Sequence, residues 1–181
     1  EIFPAAAVNW AMTQPEDDRQ NLTEAALTGA LRTQPATALE IANRLLIENP
    51  DFGGACVGSL ISKFSAAQNF ETASQLAGAA PDDFRADWTS AIFRAWAQSR
   101  PEDAVQALES IHDATLRETV FQSLIKGWAA GSPASLAAYA ETLPPGANRE
   151  SALATAMDNW SLQDPAGMAA WLNTLPAGPD F

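Results

Sequence analysis

Trp128-Ala129-Ala130-Gly131-Ser132-Pro133 and Trp160-Ser161-Leu162-Gln163-Asp164-Pro165 are two copies of one phrase, and tryptophan and proline recur with the same period of 32. Between them the chain carries Leu143-Pro144 and Arg149. The same register reaches back to Trp96 with Pro101, and then to Phe64. A period of this length marks stacked supersecondary units that bury their apolar faces against one another, not one closed core.

Within each period the apolar spacing predicts two helices. In the unit from Phe64, the first helix runs from Phe70 to Ala79, and Pro81-Asp82-Asp83 signals the start of the second. The unit from Trp96 starts its first helix at Pro101-Glu102-Asp103, with carboxylates where the helix dipole favours them. Its second helix places Leu116, Val120, Phe121, Leu124, Ile125 and Trp128 on a broad core-facing stripe. The unit from Trp128 repeats the plan with Leu136, Ala140 and Leu143, then Leu153, Met157 and Trp160. Its turn, Pro144-Pro145-Gly146, cannot continue a helix. Met168, Leu172 and Leu175 belong to a half-unit. The reading is a single αα domain over 1–181: irregular units over 1–63, regular repeats at 64–95, 96–127 and 128–159, and a half repeat at 160–181.

The first third fits less well. Pro4 suits the first turn of a helix running to Trp10. Trp10 with Pro15 repeats the tryptophan–proline spacing, and the next equivalent is Ala30 with Pro35, well short of a full period. On that register about one short helix is missing, and Glu16-Asp17-Asp18-Arg19-Gln20 is expected to be a charged loop in its place. Thr37 to Leu46 predicts an amphipathic helix, while Asn49-Pro50 and Gly53-Gly54 read as breakers. Cys56 precedes Phe64 by the same interval as Trp88, Val120 and Ala152 precede their tryptophans, so it is expected to be a small buried hydrophobe. A start at Glu1 without Met, and Leu175-Pro176 where another helix should follow, read as a piece of a longer array. A periplasmic or secreted location is slightly favoured over a cytoplasmic one.

The chain carries a net charge of −12, which argues against binding nucleic acid or inserting at an anionic membrane. No apolar run reaches the roughly 18 residues that span a bilayer. One cysteine allows neither an intrachain disulfide nor a cysteine metal cluster, and His112 is the only histidine. It is expected at the end of a first helix, where a cationic ring meets the helix C-terminus favourably. Asp17-Asp18, Asp82-Asp83 and Glu102-Asp103 pair carboxylates, but at helix starts, where capping already accounts for them. No phosphate loop or calcium-loop spacing is present. These features give no catalytic residue, no cofactor and no metal, and the expectation is a protein that is not an enzyme.

The combination Trp128-Ala129, Leu143-Pro144, Gly146, Arg149 and Ala152, followed by Trp160 and Asp164-Pro165, resembles degenerate bacterial helical repeats. In plan it is similar to tetratricopeptide-type helix-turn-helix arrays, although the period is 32 and the Leu-Gly and Tyr of that consensus are missing from their places. The resemblance covers residues 64–181 well and the first third poorly. It implies an all-α fold, a right-handed αα-superhelix, and a binding or scaffolding role.

Two columns keep the register. Arg19, Arg85, Arg117 and Arg149 stand at one fixed interval before the unit-closing positions Ala30, Trp96, Trp128 and Trp160. They are expected to tie the start of a second helix to nearby carbonyls or carboxylates. At the matching interval after each unit opening, a second column reads Ile41, Gln75, Ala107, Tyr139 and Trp171. First helices in tetratricopeptide-like arrays line a concave face that takes extended peptides, so this column is the candidate partner-binding surface, with Tyr139 and Trp171 as anchors. The competing expectation is that the two aromatics pack between units. The leading function is a non-enzymatic interaction module with an acidic groove for a protein or peptide partner, a basic one by charge. The alternative is an assembly or spacer subunit that stacks through its open repeat end. A helical carbohydrate-active fragment using two carboxylates comes third.

Overall fold

The computed structural model describes residues 3–174; Leu175 and Pro176, assigned above to the half repeat, lie outside it. The described residues form eleven helices and no strand. They are α1 (Pro4–Met12), α2 (Glu16–Thr33), α3 (Pro35–Glu48), α4 (Pro50–Ala66), α5 (Phe70–Ala79), α6 (Asp82–Ser99), α7 (Pro101–Leu108), α8 (Ala114–Gly131), α9 (Pro133–Thr142), α10 (Ala147–Gln163) and α11 (Pro165–Leu172). Short odd-numbered helices alternate with long even-numbered ones, and the contacts between helices fall mainly between neighbours in sequence. The chain divides into two compact units, one ending at Ile92 and the other starting at Phe93.

The tryptophan–proline phrase has a physical cause. Gln34, Arg100, Ser132 and Asp164 each link a long helix to the next short one, and each precedes a proline at the first helical position. Their φ values lie between −154° and −142° and their ψ values between 65° and 85°. Proline's ring forbids the helical region to the residue before it, so the chain turns there in one residue. The amide of that residue still donates to the carbonyl four residues back, which belongs to Ala30, Trp96, Trp128 or Trp160 at 2.7–2.8 Å. Asn49 makes the same joint between α3 and α4, donating to the Leu45 carbonyl at 2.9 Å. Between α4 and α5 there is no proline. There Gln68 takes a left-handed φ of 58°, and Asn69 donates to the Phe64 carbonyl at 2.8 Å, a Schellman-type end.

Three expectations for the first third are corrected. Glu16, Asp17 and Asp18 form the first turn of α2, not a loop; carboxylates at that end face the positive pole of the helix dipole. Trp10–Pro15 is a chance copy of the phrase, because Pro15 caps α2 with φ −51° and ψ 148° and does not open a short helix. The residue that matches Pro35, Pro101, Pro133 and Pro165 is Pro4, so no helix is missing. Gly53 and Gly54 sit inside α4. A Cβ on Gly53 would lie 2.7 Å from the Leu45 carbonyl carbon and oxygen, so this glycine permits close approach at the α3–α4 joint and breaks nothing.

In the first unit the core is built from α2, α3, α4 and α5, with Leu27, Leu46, Leu60 and Leu76 each at most 2 % exposed. Cys56 is fully buried there, as its column requires. In the second unit Phe121, Leu124, Ile125, Trp128, Leu136 and Trp160 belong to one continuous cluster. Links about one repeat apart hold successive pairs together. Asn43 donates to the Ala79 carbonyl, Ser151 Oγ donates to Gln122 Oε1 at 2.7 Å, and Gln163 Nε2 donates to the Ala129 carbonyl at 3.2 Å.

Candidate functional site

The aromatic column is built by the joint just described. Tyr139 and Trp171 stand six residues after the prolines that open α9 and α11, and that spacing carries each ring back over the preceding long helix. Tyr139 stacks on Trp128, ring centroids 4.8 Å apart at 30°. Trp171 packs on Trp160 at 5.6 Å and 41°. Trp128 Nε1 also donates to Ser135 Oγ at 3.1 Å, which locks the lower ring of the first pair. Tyr139 and Trp171 are half-buried, so each gives one side to the core of the second unit and keeps part of its surface open.

The remaining members of the column differ. Ile41 is 4 % exposed, a core residue of α3 with almost no surface to offer a partner. Gln75 is exposed on α5, and Ala107 is half-buried on α7. One member goes unread in the sequence. Trp10 stands six residues after Pro4 and is 57 % exposed. The signal is Pro4 itself, hidden by the false match at Pro15.

Charge near Tyr139 comes from Glu109, one residue beyond the end of α7. Burial, and then the negative charge of Glu109, push the Tyr139 phenol above its ordinary value, which places that carboxylate within electrostatic reach of the ring. Glu109 and Glu141 are exposed and one full period apart, one in each successive unit. In the second unit the cations are Arg94, Arg100, Arg117, Lys126 and Arg149, none of them within α7, α9 or α11. Arg100, the residue before α7, pairs with Asp103 at 3.5 Å.

The arginine column behaves structurally in the first unit. Arg19 Nε donates to the Gln14 carbonyl at 3.0 Å and Arg85 to the Ala80 carbonyl at 2.8 Å, each five residues back at the entry to a long helix. Arg85 also pairs with Asp82 at 2.7 Å. Arg117 and Arg149 make no such bond among the described residues.

Elsewhere, titratable groups of chemical interest are few. His112 lies exposed in the loop before α8, four residues past the end of α7, and not at a helix end as expected. Turn bonds from Ser110 to Ala107 and from Ile111 to Leu108 close α7 early, and Asp113 caps α8 by accepting from Thr115 and Leu116 at 2.8 and 3.0 Å. Glu24, 4 % exposed on α2, meets Lys63 of α4 at 2.5 Å and Gln20 at 2.8 Å. Burial alone would raise its pKa, but hydrogen bonds from Lys63, Gln20 and Ser59 and the lysine's charge together outweigh this and lower it. Burial, then the charge of Glu24, push the Cys56 thiol up to about 12. The thiolate is the reactive form. Native protein is therefore expected to leave Ellman's reagent unreacted at mildly alkaline pH, with one thiol released on unfolding in urea. Prompt reaction in the fold would contradict this burial.

Among the described residues no group of three or more His, Cys, Asp or Glu side chains is arranged to hold a metal ion, and no helix is long and apolar enough to cross a membrane. A shallow depression lined by Leu143, Pro144, Pro145, Gly146, Ala147 and Asn148 lies at the α9–α10 turn, without a titratable side chain. Comparison with protein-family models, curated proteins and solved structures finds no match.

Proposed function

We propose that the chain forms a tetratricopeptide-like, right-handed αα-superhelix and acts as a non-enzymatic protein-interaction module for a basic protein or peptide. One observation carries this reading: the short helices of the second unit hold Glu102, Asp103, Glu141 and two half-exposed aromatics, and no lysine or arginine. A surface of one sign beside exposed ring area favours a partner of the opposite sign and speeds its approach. The test is an array of random short peptides probed with the folded chain. Bound peptides are expected to be enriched in Lys and Arg, and binding is expected to weaken as ionic strength rises. Binding without charge preference would overturn the reading.

Assembly through the repeat ends is the second reading, and Trp10 favours it. The ring occupies the column in which Tyr139 and Trp171 find a tryptophan, yet it is 57 % exposed. Large exposed aromatics are a common feature of protein interfaces.

A further inference from the structure

α2 carries two different faces. Thr23, Glu24, Leu27 and Ala30 are buried on one, and the helix packs on α1, α3 and α4. On the opposite side Asp18, Leu22, Ala25, Gly29 and Arg32 follow one another at alternating intervals of four and three. That is the spacing of a coiled-coil seam, a line of side chains suited to meet a second helix along its length. Leu22 is half-buried and the other four are exposed. Beyond its chain neighbours and the backbone of its own helix, nothing lies within 4 Å of a Cβ added at Gly29. Val120 and Gly127 on α8 precede Trp128 as Leu22 and Gly29 precede Ala30. Both are buried, and Gly127 lies against the Arg94 backbone of α6. The face that α8 turns to a neighbouring long helix is thus open on α2 among the described residues.

This seam is complementary to itself. Turned antiparallel about Ala25, a second copy sets its Arg32 opposite Asp18, its Gly29 opposite Leu22 and its Ala25 opposite Ala25. The leucine fills the room that glycine leaves, and each end of the seam joins opposite charges. Neither Asp18 nor Arg32 has an ion-pair partner among the described residues. Exposed ion pairs add little energy, but they select direction and partner. A parallel copy in register would set Asp18 against Asp18 and Arg32 against Arg32, and a partner of one charge would satisfy one end alone. Resting on the assembly reading above, we propose that the open face of α2 is the site of a two-fold dimer of this chain, an antiparallel Leu22–Ala25–Gly29 seam closed at each end by Arg32 and Asp18. The seam runs for only about 20 Å of helix, at the small end of specific interfaces, so half-association is expected on the order of 100 µM.

The test is sedimentation velocity of the full chain from about 10 µM to about 1 mM, which is expected to show monomer passing to dimer. Arg32→Asp places like charges at both ends and is expected to weaken the dimer roughly tenfold or more, while Arg32→Asp with Asp18→Arg is expected to restore it. Gly29→Leu, at a position open in the single chain, is expected to abolish the dimer with circular dichroism unchanged. Arg44→Asp makes the same change of charge at an exposed position of α3 and is expected to leave the dimer intact. A dimer that survives both Arg32→Asp and Gly29→Leu would overturn the seam and leave assembly through another face standing. So would a dimer that Arg44→Asp weakens as much as Arg32→Asp does. A monomer at every concentration would overturn the seam and the assembly reading together.

Discussion

Gly127→Ala is expected to destabilise the second unit by about 2 kcal/mol or more, although alanine is the better helix former. Gly127 lies on α8, where a Cβ would sit 2.0 Å from the Arg94 carbonyl oxygen, 2.8 Å from its carbon and 2.9 Å from its Cα. All three atoms are backbone of α6, so no rotamer change relieves the clash and the helices must separate. One turn on, a Cβ at Gly131 would meet the Gln98 carbonyl oxygen at 2.6 Å, so the two glycines define one close crossing. Overpacking of this kind typically costs about 1–3 kcal/mol and occasionally more. The propensity gain, about 1 kcal/mol at most, does not offset a clash this short. Gly29, in the interior of α2, is the control: beyond its chain neighbours and the backbone of its own helix, nothing lies within 4 Å of its added Cβ. Gly29→Ala is expected to stabilise by about 0.5–1 kcal/mol. Urea unfolding of the two variants should therefore give shifts of opposite sign. Shifts of the same sign would mean that α6 and α8 do not touch through their backbones.

Those glycines also show where the sequence stops being readable. Periodicity reveals the long-helix stripes, since Val120, Phe121, Leu124, Ile125 and Trp128 recur as a helix requires, and all five are buried. Proline spacing reveals the joints, because a proline fixes the residue before it whatever that residue is. Both signals are local. Gly53 and Gly127 answer to backbone that arrives from another helix, and glycine as a breaker and glycine as a point of contact look alike in sequence. The charged run at Glu16 misleads for a related reason, since low hydropathy fits a loop and the first turn of a helix equally well. The false pair Trp10–Pro15 shifts the register of the first third, and with it hides Trp10 from the column it belongs to. For the candidate surface, spacing alone finds Tyr139 and Trp171. Their packing on Trp128 and Trp160, and the approach of Glu109, depend on how successive helix pairs sit against each other, which spacing does not encode.

That packing makes Trp128 the residue whose loss should cost most. It is 3 % exposed, its ring stacks on Tyr139, and its Nε1 donates to Ser135. Truncating a buried tryptophan to alanine costs about 3–5 kcal/mol through lost transfer energy and the cavity left behind. The stacked pair adds about 0.5–1.5 kcal/mol. Set against a total stability of about 5–15 kcal/mol, Trp128→Ala should remove a large share of what holds the second unit together. For a compact unit of this size the midpoint should fall by roughly 15–30 °C. Trp128→Phe keeps an aromatic surface for Tyr139 and loses the hydrogen bond and part of the volume, so its loss should be clearly smaller. Trp10→Ala, at a position 57 % exposed, is expected to change stability by about 0.5 kcal/mol or less. Thermal melts followed by circular dichroism would rank the three. A Trp128→Ala midpoint close to wild type would show that the tryptophan phrase marks the joint through its carbonyl alone. A large drop would show that the ring is needed as well, and that Tyr139 holds its place on the surface only because Trp128 lies beneath it.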